Sequence, residues 1–104
     1  MVDESSSVDI ESKLNKIQAK KLLGEFLKKN PNSVSFTSHA QKQMEKRSLT
    51  STDVINVLRA GKIYNEPEFE NGTYRYRVET TRIMVIFAFR SPNKIVIVSA
   101  WRKQ

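Results

Sequence analysis

Cysteine is absent from this chain and histidine occurs once. Disulfide scaffolds, zinc ribbons and thiol nucleophiles are therefore excluded together, and one imidazole cannot build a His-rich metal centre. Neither a metal site nor a cofactor is expected. Glycine and proline number only three each, with no phosphate-cradling glycine loop and no glycine-flanked serine, which argues against nucleotide-hydrolysing folds. Long apolar runs are missing too. The longest, Ile83 to Phe89, has seven residues, where a membrane-spanning helix needs about 20, so no membrane insertion is expected. The amino end, Met-Val-Asp-Glu-Ser-Ser-Ser, is acidic and polar where a secretory signal is basic and then apolar. Export would need another segment to carry the chain.

What is present is positive charge. Lys plus Arg number 18 against 11 Asp plus Glu among 104 residues, for a net +7. Asp3, Glu4, Asp9 and Glu11 place four negative charges in the first twelve residues, leaving +11 on the other 92. Such a field attracts polyanions through counterion release, so nucleic acid is the first partner to consider and an anionic membrane the second. A chain of this length makes one domain and is too short for two cores.

Residues 1–9, with three consecutive serines, read as a flexible acidic leader, and 10–104 as a single folded domain. Ala19, Leu22, Leu23, Phe26 and Leu27 repeat at helical spacing among lysines, predicting a basic amphipathic helix from about 11 to 29 that Asn30-Pro31-Asn32 ends. Val34 to Phe36 is a short extended piece. Ser38 with Gln41 forms a capping-box pattern for a helix at about 39–47, and Thr50 with Asp53 another for a helix at about 51–60. Leu49 can staple onto Val54, and Gly61 stands where a left-handed cap is wanted. Beyond it the period becomes two: Tyr74, Tyr76 and Val78 alternate with Arg75 and Arg77, a strand with one buried face and an open arginine face. Ile83 to Phe89 reads as a central strand and Lys94 to Trp101 as its neighbour, with a fourth strand at Ile63 to Glu66 before the Asn71-Gly72 turn. The expected fold class is α+β, helices packed on a small twisted antiparallel sheet of three or four strands.

Glu66, Glu68 and Glu70 read as a solvated loop edge, and no site is assigned to them. His39 opens a helix, where the positive dipole end disfavours imidazolium and leaves a neutral general base. It shares a helix face with Gln43 and with Lys46 or Arg47. The bland alternative has His39 supplementing the cap or packing on the sheet. If the small residues Val96, Val98 and Ala100 lie beneath the helices, then Ile95, Ile97, Ser99 and Trp101 share the open face with Arg75 and Arg77. Two guanidiniums can hold a phosphodiester and stabilise its pentavalent transition state, and an indole can stack on a base. Against this, alternating arginines are commonly a solvated face and Trp101 a core residue.

Phe36-Thr37-Ser38-His39-Ala40, then Met44, Arg47, Leu49, Asp53-Val54, Leu58 and Gly61, resembles a small domain family of unknown function with a Thr-x-His-Ala-x-x-Arg-Met-x-x-Arg-Gly-Ile pattern. Gln43 stands where that pattern has Arg, removing a phosphate contact, and Ser48 where it has Gly. The family is similar to RelE-type and MqsR-type ribonuclease toxins and to the RelE-like toxin tips (the barnase, EndoU, colicin and RelE group) of contact-dependent inhibition proteins, many of which cut transfer RNA. The resemblance implies a RelE-like fold and action in the bacterial cytoplasm, either as a free toxin or as the C-terminal part of a secreted effector. By position it carries over only His39 and Arg47.

The expected activity is metal-independent endonucleolytic cleavage of RNA by 2′-hydroxyl attack. His39 accepts the proton, Arg75 and Arg77 hold the phosphate, and Ser99 bonds a nonbridging oxygen or orders a water. Arg47 contacts a neighbouring phosphate, Trp101 stacks on a base, and Lys20 and Lys21 attract the backbone. A cognate acidic immunity or antitoxin protein is the expected second partner. The rival reading is a non-catalytic RNA-binding, immunity or antitoxin module of the same fold. An inhibitor of a nucleic-acid enzyme is usually acidic, and +7 points the other way.

Overall fold

The computed structural model describes residues 12–30, 32–91 and 94–103. The expected leader, the domain start at Ile10 and the Pro92-Asn93 turn lie outside the described residues. Helix α1 spans Lys16–Lys29, strand β1 Val34–Phe36, α2 Ser38–Lys46 and α3 Ser51–Ala60. Strands β2 (Glu68–Glu70), β3 (Thr73–Glu79), β4 (Ile83–Ser91) and β5 (Lys94–Arg102) follow. The fold is α+β, with the helices packed on a five-stranded mixed sheet of order β1-β5-β4-β3-β2.

Helix α1 starts later than its apolar period suggests, because Asn15 and Gln18 form a reciprocal capping box that sets the first turn at Lys16. Its stripe is the expected one: Ala19, Leu23 and Leu27 are buried and Leu22 and Phe26 pack beside them. In α2 the cap is Thr37, not Ser38; its hydroxyl accepts the Ala40 N–H and donates to the Val98 carbonyl of β5. One threonine thus starts the helix and ties that start to the sheet. The Thr50–Asp53 box of α3 is as read, and Leu49 and Val54 are both in the core.

Gly61 has φ −74° and ψ 175°, extended and not left-handed. Glycine is needed there for a different reason: a Cβ would lie 2.6 Å from the Val57 carbonyl oxygen and 2.8 Å from that of Glu79. The close approach lets Lys62 form a bridge with Glu79, and this single bridge replaces the strand expected at Ile63 to Glu66. Asn71 and Gly72 both take positive φ, 50° and 83°, as a two-residue hairpin turn requires, and they join β2 to β3.

Two features of the sheet differ from a three- or four-stranded antiparallel reading. Strand β1 pairs in parallel with β5, Val34 opposite Ile95 and Phe36 opposite Ile97, making the sheet mixed. In β5, Ile97 pairs with Phe87 but Ser99 with Ile86, so Val98 is a bulge that reverses the alternation. Ile95, Ile97 and Ala100 consequently face the core with Tyr76, Val78, Val85, Phe87 and Phe89, beneath α1 and α3. The expectation that Ile95 and Ile97 lie on the arginine face, with Val96 and Val98 beneath the helices, is corrected, whereas Ala100 lies beneath the helices as expected. Ser99 and Trp101 do lie on the arginine face, opposite Ile86 and Met84, because the bulge restores them to it.

Candidate functional site

The face of the sheet turned away from α1 and α3 carries a cleft of about 250 Å³. Elements α2, β3 and β5 supply the groups expected to carry its chemistry. Helix α2 follows β1 and runs along β5, where Gln43 Oε1 accepts the backbone N–H of Ala100 at 3.1 Å. That oxygen serves an N–H that β1, only three residues long, does not reach. Ala40 and Met44 face the core, which leaves His39 exposed at the mouth of the cleft. Strand β3 supplies Arg75 and Arg77 by alternation, and β5 supplies Ser99 and the bulge residue Val98. The four residues expected to carry chemistry, His39, Arg75, Arg77 and Ser99, therefore line one cavity although they come from distant parts of the chain.

The remaining lining changes the electrostatics. Glu68 and Glu70 of β2 belong to the cleft, and each engages an arginine diagonally across the hairpin. Arg75 Nη1 donates to Glu70 Oε1 at 2.9 Å, and Arg77 Nη2 to Glu68 Oε1 at 3.5 Å. The glutamates do lie on a solvated edge, but on strand β2 and not in a loop, and their pairing corrects the reading of the arginine face as open. With two guanidiniums against two carboxylates, the cleft is near neutral while the chain as a whole is strongly basic. The carboxylates are more than half exposed, so such pairs contribute at most about 1 kcal/mol to stability. Their effect is to hold the guanidinium heads in place. Arg75 Nε is buried with no hydrogen-bond partner among the described residues.

Ser99 is buried and donates its hydroxyl to Gln43 Oε1 at 2.9 Å. Its proton is committed, so toward the cleft the oxygen acts as an acceptor. Thr37, not His39, provides the α2 cap, which removes capping as the histidine's role. Arg47 is exposed at the far end of α2, about 12 Å of helix rise beyond His39. Its carbonyl accepts from Arg102 Nε at 3.0 Å. Trp101 is half-buried on the same face, one cross-strand row beyond Ser99 and outside the cavity lining. Lys20 and Lys21 are on α1, across the sheet from the cleft. Lys20 Nζ donates to the Leu58 and Arg59 carbonyls at 3.0 and 2.9 Å, and burial lowers its pKa. It caps α3; Lys21 is exposed.

The pairing of Glu68 and Glu70 with the arginines was visible in the sequence by counting outward from the Asn71-Gly72 turn. A two-residue loop sets Glu70 opposite Thr73 and Glu68 opposite Arg75, acids and bases on one face. Among the described residues, no three His, Asp or Glu side chains converge as metal ligands, and no helix is long and apolar enough to cross a membrane.

Residues 36–102 match DUF4258, a domain of unknown function. The chain belongs to the DUF4258 family. The match contains every cleft residue and leaves α1 outside it, so the cleft is a feature of the DUF4258 segment and α1 an element preceding it. No curated protein and no solved structure matches the chain.

Proposed function

We propose that this DUF4258 protein is a metal-independent endoribonuclease working in the cleft of His39, Arg75, Arg77 and Ser99. The observation that carries the reading is their convergence: a base, two guanidiniums and a hydroxyl from α2, β3 and β5 line one cavity of about 250 Å³. His39 takes the proton of a ribose 2′-hydroxyl, O2′ bonds to the adjacent phosphorus, and the bond to O5′ breaks. The departing oxygen takes a proton from water, leaving a 2′,3′-cyclic phosphate and a 5′-hydroxyl. Arg75 and Arg77 stabilise the charge that builds on the phosphoryl oxygens. Ser99, its own proton held by Gln43, orders a water and does not donate to the phosphate. Arg47 and Trp101, farther along the same face, meet a neighbouring phosphate and base.

We propose further that the family is related to RelE- and MqsR-type toxins, which extends the reading to a bacterial toxin acting on RNA in the cytoplasm, transfer RNA included. Such a toxin needs a guardian: an acidic immunity or antitoxin protein covering the Arg75–Arg77 face, with an apolar centre and a charged rim.

A second reading, a non-catalytic module that binds RNA or a protein, is favoured by one observation. Both arginines already hold carboxylates of their own chain, as a resting, charge-balanced surface would. Incubating the purified protein with total RNA in excess chelator and sequencing new ends separates the two. Discrete cuts bearing cyclic phosphate support the nuclease; 5′-phosphate ends or abolition by chelator defeat this mechanism, and intact RNA at high protein concentration favours the module.

A further inference from the structure

The cleft does not account for the charge of the molecule, and part of the unused charge lines a second cavity. Between α1 and α3, on the opposite side of the sheet, lies an open groove of about 650 Å³. Its walls carry Lys21 and Lys28 of α1 and Arg59 of α3, with Glu25 the one acid among the lining residues. Lys21, Gly24 and Lys28 recur at helical spacing, on one side of α1.

Two details mark it as a built anion site. The carbonyls ending a helix are the negative pole of its dipole and would repel a phosphate. Here those of Leu58 and Arg59 are taken up by the Lys20 ammonium, so the end of α3 that carries Arg59 is neutralised and pinned to α1. The second detail is Gly24. Glycine is among the least favourable residues in a helix interior, yet a Cβ at Gly24 would meet no atom within 4 Å among the described residues, so none of these requires its absence. Gly61, whose Cβ would strike two carbonyl oxygens, shows what an intramolecular requirement looks like. The bare backbone at Gly24 leaves the groove between Lys21 and Lys28 open to something from outside.

We propose that this groove is a second docking site for the sugar-phosphate backbone of RNA, held by Lys21, Lys28 and Arg59 without regard to sequence. The proposal rests on the nuclease reading of the cleft and adds that the substrate is long enough to pass round the sheet, so that one strand occupies both sites. A dinucleotide reaches only the cleft.

The test compares a dinucleotide with a long RNA as substrates for the full chain carrying Lys28→Gln with Arg59→Gln, or Gly24→Leu, which fills the groove without altering charge. Far-UV circular dichroism and melting establish that each variant folds; Gly24→Leu, with open space to occupy, keeps or raises the melting temperature. For the charge variant, KM on long RNA rises about tenfold, and the slope of log affinity against log salt falls by about 1.4 for two lost contacts. Gly24→Leu raises the same KM, and the kinetics on the dinucleotide stay unchanged in both. Unchanged long-RNA KM and slope, with cleavage intact, overturn the groove and leave the nuclease standing. Absence of both cleavage and RNA binding in the unsubstituted protein overturns the nuclease and the groove together. Loss of poly-glutamate binding alone, with RNA kinetics intact, assigns the groove to an acidic protein and also overturns the proposal.

Discussion

Ser99 donates its hydroxyl to Gln43 Oε1 across 2.9 Å, and the same oxygen takes the backbone N–H of Ala100 at 3.1 Å. Read by its position in the chain, Gln43 looked like a lost phosphate contact. In the structure it serves the backbone of a strand whose pairing partner has ended. Replacing it with leucine strands a buried N–H, which costs about 1–3 kcal/mol. Urea unfolding of Gln43→Leu should show that loss, and Gln43→Glu, which keeps an acceptor oxygen, should recover part of it. Equal stability of the leucine variant and the unsubstituted protein would remove the bond from the account of the fold.

His39→Ala and Arg77→Ala are each expected to slow RNA cleavage by about a hundredfold or more while RNA affinity changes little, as loss of a base or a transition-state donor typically does. Single-turnover kinetics with a separate filter-binding assay distinguish the two quantities. Unimpaired cleavage by folded His39→Ala would move the search for the base to Glu68 and Glu70.

Glu68→Gln with Glu70→Gln frees both guanidiniums and removes two negative charges from the cleft. RNA binding should tighten about tenfold at low salt, and the salt slope should steepen by about 0.7 for each arginine that gains a phosphate. Weaker binding would mean that the carboxylates position the arginines more than they neutralise them.

Gly61→Ala and Gly72→Ala should both destabilise, for separable reasons. At Gly61 the backbone angles suit any residue and the obstacle is steric, with carbonyl oxygens at 2.6 and 2.8 Å, so a cost of about 1–3 kcal/mol is expected. At Gly72 the space is open and φ is +83°, so the cost is conformational, about 1–2 kcal/mol. Asparagine at each position decides: it relieves Gly72, tolerating a positive φ, and does not relieve Gly61. Chemical denaturation of the four variants measures this.

Stability should fall at both pH extremes for identifiable reasons. The Thr50 backbone and side-chain hydrogen bonds lower the Asp53 carboxyl pKa. Its contribution is therefore present above the ordinary aspartate value of about 4 and lost as pH falls through the lowered one. Burial raises the Tyr76 phenol, whose oxygen accepts the Leu14 N–H. The folded state keeps that proton longer than the unfolded one, so stability drops as pH rises past about 10. Melting temperature against pH should lose part of the acid limb in Asp53→Asn and part of the alkaline limb in Tyr76→Phe.

The parts of the fold that were legible depend on short-range signals. Thr50 and Asp53 announce α3, Asn71-Gly72 announces a hairpin, and the Tyr-Arg-Tyr-Arg alternation sorts β3 into two faces before any partner is known. The rest depends on pairing. Three residues at Val34–Phe36 carry no mark of their parallel neighbour, because the partner is about 60 residues away. The bulge at Val98 is equally silent: alternation counted through it sends Ile95 and Ile97 to the wrong face, and only the register against β4 reveals the reversal. Lys20 and Lys21 are indistinguishable as text, yet one is a cap and the other faces solvent. For the site, His39 and the arginines were visible from helix position and strand parity, whereas the charge balance needed a count outward from a turn.

The strand order has a consequence for the newborn chain. Of the five strands β5 is synthesised last, yet it is seated between β1 and β4. A ribosome that has not passed Arg102 holds a β1 with nothing to pair with, an α2 with no edge to lie along, and a β3–β4 hairpin lacking its central neighbour. Non-local pairing of this kind closes late and all at once. A chain stalled upstream of residue 94 has arginines and a histidine but no shared pocket, so the cavity exists only once β5 has emerged and taken its seat.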